Sequence, residues 1–139
     1  MPVRYFTEDL SFDLKGKRAH SQWIVTIIKN ENQDPGNINY IFCSDPYLHS
    51  INRQYLNHDT YTDIITFDQS EENNLIEGEI YISIDRVKEN ASSLNVPFET
   101  ELRRVMAHGV LHLLGYTDKD PEHKKTMRKK EDDCLRLLI

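Results

Sequence analysis

His108-Gly109-Val110-Leu111-His112-Leu113-Leu114-Gly115-Tyr116-Thr117-Asp118 is the stretch on which the reading of this chain turns. Helical residues four apart lie on one face, a turn from each other, so His108 and His112 can present two imidazole nitrogens to a single point. Their neighbours Leu102, Val105, Met106, Val110, Leu111, Leu113 and Leu114 are apolar, and an imidazole among them needs a partner. Two core histidines bonded to a carboxylate or carbonyl would meet that need, and so would a metal ion. Gly115 stands where a helix-ending glycine belongs, and a left-handed residue there reverses the chain, so that Asp118 can return toward the histidine face. Three protein ligands to zinc leave a fourth position open, which is the arrangement of catalytic rather than structural sites.

Outward from this segment, helical and strand periods alternate along the chain. Before it, Asn95-Val96-Pro97 separates the histidine-bearing helix from one with the apolar stripe Ile84, Val87, Ala91 and Leu94, for which Ser83 is the cap. After it, Asp120-Pro121-Glu122 supplies cap, first-turn proline and acidic residue for a last helix buried through Met127, Cys134, Leu135 and Leu138. Strands are expected at Asp63 to Asp68 and Gly78 to Ser83, joined by a polar loop from Gln69 to Asn74. Ile38, Tyr40 and Phe42 alternate with Asn39, Ile41 and Cys43 as a strand following an Asp34-Pro35-Gly36 turn. Ser44 or Asp45 with Pro46 opens a helix through Leu48, Ile51 and Tyr55, and Trp23, Ile24, Ile27 and Ile28 mark another from Lys17 to Asn30. Leu10, Phe12 and Leu14 are spaced by two and read as a strand, with Val3 to Phe6 as a further short one. Short strands followed mainly by helices define an α+β domain.

The chain of 139 residues is the size of one domain, and no repeat or linker divides residues 1–139. Its 38% hydrophobic and 29% charged residues fit a folded globular protein and not a disordered one. No apolar run approaches a membrane span, and the N-terminal MPVRYFTEDLSFDLKGK is charged where a signal peptide is apolar, so a cytoplasmic protein without membrane contact is expected. Cys43 and Cys134 form no metal-binding spacing and are expected to be free buried thiols. Net charge is −6, yet it is uneven: residues 1–100 carry 8 basic and 16 acidic side chains, a balance of −8, whereas residues 101–139 carry 9 and 7, a balance of +2. An anion-binding surface is therefore expected in the last third, where Lys124, Lys125, Arg128, Lys129 and Lys130 cluster. Lys124, Lys125 and Lys129 are the candidate contacts to an anionic partner.

The segment from His108 to Asp118 resembles the signature H-G-x-L-H-L-x-G-Y-x-H of the YbeY family of bacterial rRNA maturation factors. Upstream, Asn52, Tyr55, Asp59, Thr62, Asp63, Ile64, Ile65, Thr66 and Phe67 resemble that family's N-x-x-Y-R-x-x-D-x-x-T-D-V-L-S-F, and Gly78-Glu79-Ile80-Tyr81-Ile82-Ser83 its G-D-I-x-I-S. The likeness covers about residues 38–118. It implies a single α+β domain, with a small mixed sheet packed by helices and a zincin-like helix holding one zinc through His108, His112 and Asp118. It also implies a single-strand-specific endoribonuclease acting in 16S rRNA 3′-end maturation and ribosome quality control, with rRNA and the small ribosomal subunit as partners and DNA not among them. Two positions depart from the pattern: Asp118 stands where the family usually has His, and Leu56 where it has Arg. Carboxylate oxygen is an acceptable zinc ligand, whereas loss of the arginine removes a cation that could hold a phosphate. Arg53, a helical turn earlier, is a candidate replacement, and His58, beside Asp59, a candidate proton shuttle.

Two other functions use the same ligands. A ribosome-assembly factor could keep the zinc as a structural staple. A zinc peptidase shares the H-x3-H frame, but its general base is the glutamate of H-E-x-x-H, and this chain has Gly109 there.

Overall fold

The computed structural model describes residues 2–56, 62–72 and 74–138. In chain order the elements are β1 (Val3–Glu8), α1 (Lys17–Asn30), β2 (Asp34–Cys43), α2 (Asp45–Leu56), β3 (Ile64–Asp68), β4 (Leu75–Ser83), α3 (Ile84–Leu94), α4 (Phe98–Leu113) and α5 (Pro121–Arg136). The four strands form one mixed sheet in the order β1-β2-β4-β3. β2 pairs in parallel with both β1 and β4, and β3 runs antiparallel to β4 at the sheet's edge. This is the expected α+β class, with a small mixed sheet packed by helices.

Successive strand residues face opposite sides, so the sheet sorts its side chains into two cores. On one face Ile38, Tyr40, Phe42, Ile80 and Ile82 pack with Trp23, Ile24, Ile27 and Ile28 of α1 and Met106, Val110 and Leu111 of α4. Two polar atoms in this core have partners: the Tyr40 hydroxyl donates to the Met106 carbonyl at 2.8 Å, and the Trp23 Nε1–H to the Cys134 carbonyl at 2.7 Å. On the other face α2 covers only part of the sheet, through a small cluster of Cys43, Leu48, Ile51 and Ile65 flanked by Tyr47, Phe67 and Tyr81. Both cysteines are free and buried.

Two expected features differ. Leu10, Phe12 and Leu14 form no strand, because Asp9 at φ 59° turns the chain away at the end of β1. The segment packs on the core, with Phe12 edge-on to Phe42 and Phe98, so its period-two pattern records burial without a ladder. Likewise Asp34-Pro35-Gly36 is not a separate turn but the start of β2, where an irregularity between Pro35 and Ile38 absorbs the proline.

Local chemistry fixes the ends that position the site. The Ser83 hydroxyl accepts from the Arg86 N–H at 3.2 Å and caps α3. Asp120 accepts from the His123 N–H at 2.8 Å and caps α5, which packs back along α4. Gly109 lets α4 lie close on the sheet: a Cβ there would stand 2.7 Å from Ile80 Cγ2 and 3.0 Å from Ile64 Cδ1.

Candidate metal centre

The C-terminal end of α4 both stops the helix and aims its last histidine. Gly115, at φ 104°, donates to the His112 carbonyl, and the Tyr116 N–H donates to the Leu111 carbonyl, each at 3.0 Å. That paired-bond cap reverses the chain. It also brings the Tyr116 carbonyl to 3.0 Å from His112 Nδ1, and a carbonyl only accepts, so His112 carries its hydrogen on Nδ1. His108 Nδ1 meets the Glu131 carboxylate at 2.6 Å, which likewise makes it the donor.

With both Nδ1 positions engaged, the two Nε2 atoms face each other at 2.9 Å. Asp118 Oδ2 completes the group at 3.4 Å from His108 Nε2 and 3.8 Å from His112 Nε2. Three acceptor atoms converging in this way repel one another unless a cation lies among them. The ligand atoms of His108, His112 and Asp118 all lie within 4.8 Å of one another, the one such group of three or more among the described residues. A donor set of two imidazoles and a carboxylate, each imidazole oriented by an outer acceptor, fits a divalent transition metal. Without a metal the remaining cation is a proton. Burial lowers the pKa of His108, but the hydrogen bond and charge of Glu131, aided by Asp118 and Asp63, outweigh it and raise the net value. Burial and the neighbouring His108 depress that of His112.

The group opens into a cleft of about 410 Å³ lined by Thr62, Asp63, Ile64, Glu101, Arg104, Val105, Arg128 and Glu131 as well as the three ligands. Arg104 is committed to Glu131 at 3.1 Å and Asp132 at 2.8 Å. Arg128 stands more openly, its side chain 58% exposed and 3.9 Å from Glu131. Burial pushes the carboxyl groups of Asp63 and Glu101 above the usual carboxylate range, against the pull of His108 on the first and Arg104 on the second.

The structure thus brings His108, His112 and Asp118 together, as their spacing led us to expect. Asp120 and His123 are taken up by the α5 cap, where His123 Nδ1 and Asp120 Oδ2 lie 2.7 Å apart. Arg53 is exposed on α2 and is not among the residues that line the cleft, whereas Leu56 borders an adjoining groove with Asn52 and His112. His58 and Asp59 lie outside the described residues. Lys124, Lys125 and Lys129 are exposed on α5. Position 109 faces the sheet and has no room for a glutamate, which leaves the peptidase reading without a base. Sequence reasoning missed Glu131, Arg104 and Glu101. The signal for Glu131 was its place between Met127 and Cys134 on the buried stripe of α5, and for Glu101 its place on the stripe that leads to Val105 and His108.

Fold and site together define an α+β protein with a His-x3-His helix whose two histidines and Asp118 could hold a metal ion beside an open cleft. A family model for Endoribonuclease YbeY matches residues 5–138, and the chain belongs to that family. Among its relatives, a protein of Flavobacterium psychrophilum named Endoribonuclease YbeY is 52% identical over 96% of this chain and 94% of its own length. One of the same name from Cytophaga hutchinsonii is 51% identical over 97% and 94%. A Thermotoga maritima protein solved in solution superposes with a TM-score of 0.67 at 32% identity, covering 96% of this chain and 87% of that one. No helix among the described residues is long and apolar enough to cross a membrane.

Proposed function

We propose that this protein is a zinc-dependent endoribonuclease that cuts single-stranded RNA, acting in the cytoplasm on rRNA of the small ribosomal subunit, in 16S 3′-end maturation and ribosome quality control. Family membership supports the reaction class. The observation that carries the metal is the convergence of His108 Nε2, His112 Nε2 and Asp118 Oδ2 with both Nδ1 atoms already engaged.

When bound, zinc would polarise a phosphoryl oxygen or lower the pKa of a coordinated water to about 7. The chain's own residues do the rest. Glu131 and the Tyr116 carbonyl hold the imidazoles in the tautomer that a metal requires. Arg128, the more exposed guanidinium of the cleft, is the group we assign to a phosphate oxygen, in place of the arginine absent at Leu56. Burial raises the pKa of the Asp63 and Glu101 carboxyls that border the cleft.

Zinc content and cleavage of a single-stranded RNA are to be measured side by side for wild type, His112→Ala and Arg128→Ala. Wild type should hold one zinc and cut. His112→Ala should lose both properties, and Arg128→Ala should keep zinc but cut at least tenfold more slowly. A zinc-loaded wild type that cuts nothing would support the assembly-factor reading instead.

A further inference from the structure

The face of the sheet away from α4 carries a row of aromatic rings that the metal centre does not use. Tyr55, on the last turn of α2, is 62% exposed and stands edge-on to Phe67 of β3, with ring centroids 6.0 Å apart. Phe67 in turn stands edge-on to Tyr81 of β4 at 5.8 Å. These three rings, with Tyr47 beneath, border a pocket of about 370 Å³ whose remaining wall includes the amides of Gln54 and Gln69. Among the described residues Glu79 is the one charged side chain in that wall. Among the described residues of the wall a phosphate finds no cation, whereas a flat heteroaromatic ring finds π-faces and amide donors and acceptors.

A groove that adjoins the metal cleft is lined by chain neighbours of the pocket's rings. This groove, of about 310 Å³, follows Asn52, Leu56, Ile65 and Thr66 over the free edge of β3 to Thr62, Ile64 and His112. Leu56 and Thr66 are the chain neighbours of Tyr55 and Phe67 on the pocket side, while Thr62, Ile64 and His112 also line the metal cleft. Ile64 and Phe67 face opposite sides of β3, roughly 10 Å apart along the strand at about 3.4 Å per residue, so an RNA strand that reaches both sites crosses the edge of β3.

We propose that Tyr55, Phe67 and Tyr81 form a nucleobase subsite, which takes an unstacked base of the same single-stranded RNA whose backbone lies at the metal centre. This rests on the endoribonuclease reading and adds where the substrate is held beyond the bond that is cut. Aromatic stacking of this kind is tolerant of base identity and insensitive to salt, unlike the phosphate contacts of α5.

The test is fluorescence anisotropy with a 2′-O-methyl single-stranded oligonucleotide, and with the same backbone carrying abasic sites, for metal-loaded wild type, Tyr55→Ala, Tyr55→Phe and Tyr55→Trp. Tyr55→Ala should weaken binding of the base-bearing strand about 5- to 100-fold with an unchanged salt slope. Tyr55→Phe should bind as wild type does, and Tyr55→Trp should show its indole emission quenched on binding. Wild type and Tyr55→Ala should bind the abasic strand equally. Equal affinity of wild type and Tyr55→Ala for the base-bearing strand, or an equal loss on both strands, would overturn the subsite. A wild type that binds in this Tyr55-dependent way but cuts no RNA would uphold the subsite and overturn the nuclease reading.

Discussion

His108 Nδ1 lies 2.6 Å from the Glu131 carboxylate, a bond that ties the histidine-bearing helix α4 to α5 across 23 residues of sequence. One oxygen of Glu131 orients the imidazole while the other receives Arg104 at 3.1 Å. A single buried carboxylate therefore serves both the packing of two helices and the chemistry at their junction.

Replacing Glu131 by Ala should weaken zinc affinity about 10- to 100-fold, the usual effect of losing the outer acceptor of a metal-bound histidine. Arg104 would retain Asp132 at 2.8 Å, so the helices should stay docked and the fold survive. Competition with a chelator of known affinity, alongside thermal unfolding, measures both. Unaltered affinity would mean that Glu131 only packs.

The exposed lysines of α5 should act on RNA through charge alone. Lys124, Lys125 and Lys129 changed together to Ala should flatten the dependence of log affinity on log salt by up to about 2, at about 0.7 per phosphate of a single strand. Zinc content should not move. An unchanged slope would show that α5 faces away from the nucleic acid.

Glu101 gives a pH dependence whose sign follows from its burial. Its pKa is raised in the folded chain, chiefly by desolvation and despite Arg104, so the native state binds the proton more tightly than the unfolded state does. The stability this provides is full below the ordinary carboxylate value and is lost as pH rises through the folded one. Glu101→Gln should thus raise the melting temperature by a few degrees at pH 7 to 8, an advantage that disappears near pH 4. A difference independent of pH would assign the effect to packing.

Much of this was legible in local patterns. The ladder of Trp23, Ile24, Ile27 and Ile28 marked α1 to its observed bounds, Ser83 and Asp120 announced the caps they make, and the spacing of His108, His112, Gly115 and Asp118 pointed to the three side chains that converge. Each of these rests on interactions within a few residues. What escaped depends on which elements meet. Nothing near Glu131 names Arg104 or His108 as its partners, and the alternation of Leu10, Phe12 and Leu14 cannot reveal that Asp9 turns them away from the sheet. The edge position of β3, which opens a groove toward His112, follows only from the β1-β2-β4-β3 order.

The central claim is that Asp118 joins His108 and His112 as a ligand, and zinc titration of Asp118→Ala and Asp118→His against wild type tests it most directly. Imidazole nitrogen binds zinc at about 2.0 to 2.1 Å, close to the carboxylate distance, so Asp118→His should keep one zinc per chain. Asp118→Ala, left with two ligands, should lose it at concentrations where wild type remains loaded. Wild-type zinc affinity in Asp118→Ala would contradict the account.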